Sequence, residues 1–208
     1  MSQRSTRLYL ILPPIADAAA FKPILAAALG AGDIACVLLQ SGPDLKATGQ
    51  ALVALIQEHD AALLVAGDPR LVARIGADGV HVAYSQEAVG EAVSSLGSNG
   101  IVGVGALATR DDSMSAGAAG ASYVMFGEAD VGGQSADPEL TLERVGWWAE
   151  IFNVPCVGYA GTLDEIGPLA EAGAEFVALG DAVWQHPAGP ADAIKQANAI
   201  LANAVLTA

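Results

Sequence analysis

Eight short apolar runs in this chain are each followed by small, acidic or amide residues, and any chemistry has to be sought there. After the runs stand Pro13; Gln40 and Ser41; Gly67 and Asp68; Tyr84, Ser85 and Gln86; Gly105; Glu128 and Asp130; Tyr159, Gly161 and Thr162; and Gly180 and Asp181. From these, Gln40, Asp68, Gln86, Gly105, Glu128, Asp130, Gly161, Gly180 and Asp181 are the candidate ligand-binding residues. Carboxylates accept hydrogen bonds, amides both donate and accept, and glycine lets backbone N–H groups come close to a ligand. The set suits recognition of a small molecule. Few of these residues are cations, and none is a nucleophile beside an evident base, so no catalytic residue is assigned.

The remaining reactive side chains read as structural. His59, His81 and His186 are far apart in sequence, and a lone histidine in a strand reads as packed or hydrogen-bonded rather than catalytic. Cys36 and Cys156 fall inside apolar runs with no Cys-x-x-Cys or Cys/His spacing, so they read as buried thiols, and no metal site is assigned. Asp68, followed by Pro69, reads as a helix cap before it reads as a catalyst. Trp147 and Trp148 read as helix packing or a subunit contact. Gly161 and Gly180 occupy turns where barrels often hold phosphate on backbone N–H groups. Asp181 directly after Gly180 reads against that use, because its carboxylate can cap the same positive helix end. The long stretch from Gly127 to Pro138, rich in small residues, suits a lid.

Something must hold these residues together. The apolar runs Leu8–Leu12, Ile34–Leu39, Ala62–Val65, Gly79–Val82, Ile101–Val104, Tyr123–Phe126, Cys156–Gly158 and Phe176–Leu179 alternate with helical patterns. Asp68-Pro69 and Asp137-Pro138 open helices, Thr162 to Glu165 is a capping-box pattern, and Gly189-Pro190 starts the last helix. Pro23 lies in the first helical pattern and must begin or kink it. Regular alternation implies a parallel sheet. Gly76-Ala77-Asp78-Gly79-Val80, Gly120-Ala121-Ser122-Tyr123-Val124 and Gly173-Ala174-Glu175-Phe176-Val177 repeat one motif, with Gly30-Ala31-Gly32-Asp33-Ile34 a looser copy. The copies lie roughly 44–53 residues apart, the length of two βα units, and mark every second strand. A fourfold repeat of two βα units fits a closed barrel better than an open sheet. The fold expectation is α/β, one (β/α)8 TIM barrel domain over residues 1–208.

Composition sets the outer limits. Hydrophobic residues make up 53% and charged residues 15% of the chain, which suits a parallel sheet buried on both faces. A formal charge of -14, with only nine Lys and Arg, excludes nucleic acid and anionic membrane surfaces as partners. The expected partner is a small-molecule ligand, and a homodimer is compatible with the sequence. Pro13-Pro14 cut the first apolar run short, so it reads as a strand rather than an export leader, and the expected location is cytoplasmic.

Along nearly its whole length the chain resembles the thiamine-phosphate synthase and thiazole tautomerase family. Leu8-Tyr9-Leu10-Ile11 resembles its opening strand, and Gly76-Ala77-Asp78-Gly79-Val80-His81-Val82 its Gly-Ala-Asp-Gly-Val-His-Leu signature. Gly120-Ala121-Ser122-Tyr123-Val124-Met125-Phe126-Gly127 is similar to a second family motif. The resemblance implies a barrel that joins an aminopyrimidine diphosphate to a thiazole phosphate with magnesium, releasing diphosphate. It also implies where the working residues would be, and this chain differs there. The family's Gln-x-Arg-x-Lys falls on Leu38, Gln40 and Gly42, or, shifted by two to match Gln40, on Gln40, Gly42 and Asp44. Its Asn-Asp falls on Ala66-Gly67, with Asp68 one place later, and its second metal aspartate falls on Gln86. Its lid lysine has no counterpart, Glu128 and Asp130 standing in that loop, and its final serine falls on Asp181.

Three functions therefore remain open on the sequence. One is a family barrel, degenerate at its active site, that binds a small heterocycle at the mouth. The second is a working synthase, a transferase using magnesium as cofactor. The third is a non-catalytic regulatory or interaction protein.

Overall fold

Continuous apolar runs become strands because both faces of each run are buried. In the computed structural model, which describes residues 5–40, 42, 44–128 and 137–207, there are eight such strands. They are β1 (Arg7–Ile11), β2 (Ile34–Leu39), β3 (Ala62–Ala66), β4 (Gly79–Ala83), β5 (Ile101–Gly105), β6 (Tyr123–Phe126), β7 (Cys156–Ala160) and β8 (Phe176–Leu179). Each pairs in parallel with the next, and β8 pairs with β1, closing the barrel. The helices are α1 (Ala18–Leu29), α2 (Leu45–Glu58), α3 (Arg70–Ile75), α4 (Gln86–Leu96), α5 (Arg110–Ala118), α6 (Pro138–Ile151), α7 (Ile166–Glu171), α8 (Asp181–Trp184) and α9 (Pro190–Thr207). The expected single (β/α)8 barrel is the observed fold. Among the described residues no helix is long and apolar enough to cross a membrane.

Strand alternation sorts the core into two layers. Leu8, Leu10, Val37, Leu39, Leu63, Val65, Val80 and Val82 point outward to the helices. Tyr9, Cys36, Leu38, Leu64, Tyr123, Met125, Val157 and Ala178 point into the lumen. β5 breaks the pattern by placing two glycines inward. A Cβ on Gly103 would overlap the Tyr123 ring, and one on Gly105 would overlap the Glu128 carboxylate and come within 2.7 Å of His81 Nε2. Those gaps admit polar side chains from neighbouring strands.

The fourfold repeat has a physical cause. Gly76, Gly120 and Gly173 end helices with φ of 81°, 102° and 100°, the left-handed region that glycine enters without strain. Two residues after each, a polar side chain accepts from the N–H of the preceding strand. Asp78 takes the Leu63 N–H at 2.8 Å, Ser122 the Val102 N–H at 3.1 Å, and Glu175 the Cys156 N–H at 2.9 Å. In return their own N–H groups bond Leu63 O, Val102 O and Cys156 O. The looser copy works through a side chain instead, Asp33 pairing with Arg7 of β1 at 2.6 Å. There the guanidinium holds the Asp33 carboxyl below the usual carboxylate range.

One local expectation is narrowed, since Pro23 does not begin its helix, and a second is corrected. Pro23 lies inside α1, which starts five residues earlier because the Asp17 side chain accepts from Ala19 and Ala20 N–H. The proline removes a single bond, to the carbonyl of Ala19, and Ala19 is exposed. Thr162 makes no capping bond, because a 3₁₀ turn, Leu163–Glu165, separates it from α7.

Asp78→Ala is expected to destabilise the barrel by about 1–3 kcal/mol, since it leaves the buried Leu63 N–H without an acceptor. Asp78→Asn, which keeps one oxygen, should lose clearly less. Urea unfolding followed by circular dichroism measures both, and equal losses would show that charge, not the strand bond, is at stake.

Candidate functional site at the barrel mouth

The ends of β1, β2, β6, β7 and β8 surround a cavity of about 310 Å³. Its walls include Pro13, Pro14, Gln40, Glu128, Tyr159, Gly180, Asp181 and Trp184. Four of the sequence candidates, Gln40, Glu128, Gly180 and Asp181, thus meet in one place. Trp184 is pinned there by a 2.7 Å bond from its indole N–H to Ile11 O and by the Phe21 ring behind it. Among the described residues the cavity's charged groups are the carboxylates of Glu128 and Asp181, and no lysine or arginine lines it.

Glu128 is held with care. Its Oε1 accepts from Ala106 N–H, and its Oε2 lies 3.1 Å from His81 Nε2. Ala106 adopts a left-handed φ of 53°, a strained choice for alanine, at the point where its N–H meets the carboxylate. Behind His81 the contacts continue, with Nδ1 2.8 Å from Tyr123 Oη and Tyr123 Oη 2.8 Å from Tyr9 Oη. Burial, the largest cause, pushes both phenols well above their usual range, so both keep their hydrogens. His81 is indeed packed and hydrogen-bonded, as a strand histidine should be, but its partner is a mouth carboxylate. The sequence reading missed this connection, together with Tyr9 and Tyr123. The inward glycines of β5 were the available signal.

The other candidates are distributed differently. Asp68 lies apart from the cavity, accepting from the Arg70 N–H and guanidinium, which hold its carboxyl below the usual range. Gln86 is exposed at the start of α4 and does not line the cavity. Gly161 meets Asp181 in a second, shallower depression with Thr162, Gln185 and His186. There Glu165 folds back, accepting the Gly161 N–H at 2.9 Å and the Thr162 hydroxyl at 3.0 Å. An N–H group that could serve an anion is already taken by a carboxylate. Gly105 forms the wall behind Glu128. Asp130, Ser41 and the centre of the expected lid lie outside the described residues. Mouth-side arginines are also engaged: Arg110 pairs with Glu143, and Arg144 donates to Leu107 O and Ala108 O at 2.6 Å. Burial pushes the Cys36 thiol up, and raises Cys156 to about 12, so neither is a nucleophile.

Comparison with known proteins places this barrel. The sequence profile of the family described as thiamine monophosphate synthase matches residues 8–183. This chain belongs to that family. A family relative, thiamine-phosphate synthase of Rhodospirillum centenum, is 44% identical over 206 residues, covering 94% of this chain and 97% of its own. The thiamine-phosphate synthase of Hyphomonas neptunium is 38% identical and covers 94% and 93%. Among solved structures, thiamine phosphate pyrophosphorylase from Pyrococcus furiosus superimposes with a TM-score of 0.78 over 97% of this chain and 98% of its own. At 19% identity, that likeness speaks for the fold alone.

The positions that the resemblance marks for chemistry can be located in the barrel. Leu38 is fully buried in the lumen and presents nothing to a ligand. Where the resemblance puts magnesium, Asp68 is tied to Arg70 and Gln86 offers an exposed amide. No group of three or more His, Cys, Asp or Glu that could hold a metal exists among the described residues. Of those two positions the described residues thus offer one carboxylate, already paired with Arg70, and one neutral amide.

Proposed function

We propose that this thiamine monophosphate synthase family barrel binds a small neutral or cationic heterocycle related to thiamine at its mouth, without running the diphosphate-displacing reaction. One observation carries the reading: among the described residues the cavity at the strand ends is lined by Glu128 and Asp181 and by no cation. Two carboxylates facing a small space raise the affinity for N–H donors and positive charge, and lower it for phosphate esters. Displacement of diphosphate needs positioned positive charge, each such group contributing on the order of 3 kcal/mol at the transition state. With two or more absent, turnover should fall on the order of 10⁴-fold below a control synthase.

The test pairs binding with turnover. Calorimetry with the thiazole alcohol, the aminopyrimidine alcohol and thiamine should show binding of at least one. A direct assay with both phosphorylated substrates and magnesium should show no thiamine phosphate. Binding of none of the three, or turnover near a control enzyme, overturns the reading.

A second reading, a working synthase, is favoured by the two whole-length relatives that carry that name. The same assay decides between them.

A further inference from the structure

Three polar side chains from β1, β4 and β6 line up behind Glu128, and with the imidazole neutral their hydrogens can be assigned. Glu128 accepts from Ala106 N–H at one oxygen and faces His81 Nε2 with the other. A carboxylate only accepts, so Nε2 carries the hydrogen. In a neutral imidazole Nδ1 is then the acceptor, and Tyr123 must donate to it. Tyr123 has one hydrogen, so the Tyr9 hydroxyl donates to Tyr123 in turn. The bonds run one way, from Tyr9 through Tyr123 and His81 to the carboxylate. Among the described residues no buried side-chain polar atom is left without a partner.

The two ends of this chain differ. Tyr9 and Tyr123 border a basal, largely apolar cavity of about 290 Å³. At the other end Glu128 alone reaches the mouth, its side chain 10% exposed and that of His81 5%. Of the roughly four lone-pair sites on a carboxylate, the described residues use two, and the others face the cavity. The surrounding walls, Pro13, Pro14 and Trp184, are flat and apolar, and Asp181 adds a second negative charge.

We propose that Glu128 is the specificity-determining acceptor of the mouth, aimed by the one-way chain of Tyr9, Tyr123 and His81, and that it selects planar ligands carrying amidine-type N–H donors. This rests on reading the mouth as a ligand site. His81, Tyr123 and Tyr9 are positioning residues, since none reaches the cavity itself.

Benzamidine, benzamide and benzoate are the probes, alike in size and different in donors and charge. Titration into ¹⁵N-labelled protein follows the Ala106 amide and the His81 ring nitrogens. Benzamidine should bind and shift the Ala106 amide, benzamide should bind about tenfold or more weakly, and benzoate should leave it unmoved. Free protein should show His81 with its hydrogen on Nε2. Glu128→Gln has one oxygen for two donors, so its NH₂ must face one of them. Keeping the Ala106 bond forces His81 into the other tautomer and reverses the chain. The ring ¹⁵N shifts should exchange, and benzamidine affinity should fall about ten- to a hundredfold. Tyr123→Phe keeps the ring but removes the donor to Nδ1, and should disturb the tautomer and weaken benzamidine severalfold.

A hydrogen on Nδ1 or on both nitrogens in the free protein overturns the assignment. So does equal affinity for benzamidine and benzamide, or an unchanged affinity in Glu128→Gln. If benzamidine fails while a thiamine-related heterocycle binds, Glu128 selectivity is wrong and the proposed function stands. If benzamidine binds at Glu128 and no heterocycle does, the proposed function is wrong and this assignment stands.

Discussion

Trp148→Ala is expected to destabilise the protein by about 3–5 kcal/mol, the loss typical of emptying a buried tryptophan site. The side chain is 1% exposed and is the largest fully buried one among the described residues. Its ring stacks on Phe152 at 4.1 Å between centroids and meets Phe126 edge-on at 6.0 Å. Its indole N–H donates to Val154 O at 2.7 Å. On the α5 side Gly117 lets the ring approach so closely that a Cβ there would lie 3.2 Å from it. Deletion therefore removes the packing between α5, α6 and β6 and orphans a carbonyl. For a barrel of this size, melting should fall by roughly 2–4 °C per kcal/mol, about 10 °C in all. Trp148→Phe, which keeps most of the apolar volume and loses only the donor, should lose far less. Ligand affinity should not change in either variant, because Trp148 lies toward the end of α6 remote from the mouth. A loss under about 1 kcal/mol for the alanine variant would mean that the neighbouring helices close the gap, contrary to the usual incomplete relaxation.

Much of this architecture was legible because its signals are local. An apolar run of four to six residues bounded by glycine or proline reads as a buried strand without knowledge of its neighbours. All eight strands lie where those runs predict, β7 continuing two residues further to Ala160. The motif after Gly76, Gly120 and Gly173 was visible as a repeat. Its cause, a polar side chain closing the start of the preceding strand, needs the sheet register and could not be read from one chain segment.

The convergence of the candidate residues was legible by half. Residues at strand ends converge by topology, so Gln40, Glu128, Gly180 and Asp181 could be gathered without coordinates. Asp68 and Gln86 belong to the same set of strand ends, yet local bonding or exposure takes them elsewhere. The chain behind Glu128 was hidden because its members look like ordinary strand residues and stand far apart; Tyr9 and Tyr123 are 114 residues apart. What gave them away lay in a third strand. Gly103 and Gly105, two apart in β5, leave an inward face bare, and a barrel packed to normal density must fill it from neighbouring strands. Alternating glycine inside a barrel strand therefore points to large or polar inward side chains beside it.

Gly105→Ala turns that argument into an expected loss of function with limited loss of fold. The new Cβ would overlap Glu128 Oε1 and stand 2.7 Å from His81 Nε2. Gly105 lies outside the left-handed region, so its own backbone tolerates alanine, while the His81 ring at 2.7 Å must give way by a few tenths of an ångström. The carboxylate is the far end of a flexible side chain, and it must swing out. That leaves the His81 Nε2–H buried without its acceptor, at a cost of about 1–3 kcal/mol, and takes the aimed carboxylate off the wall. Benzamidine binding should then fall by about tenfold or more, in line with loss of a charge-assisted bond. The Ala106 amide should move in the free protein, because its acceptor has gone. The control is Gly117→Ala in the α5 helix wall, whose added methyl meets the Trp148 ring edge and Val154, both away from the mouth. It should leave the mouth unaffected. Calorimetry and the ¹⁵N spectrum together check the outcome. An unshifted Ala106 amide with full affinity in Gly105→Ala would show that Glu128 is not held against β5, and the account of the mouth would fall with it.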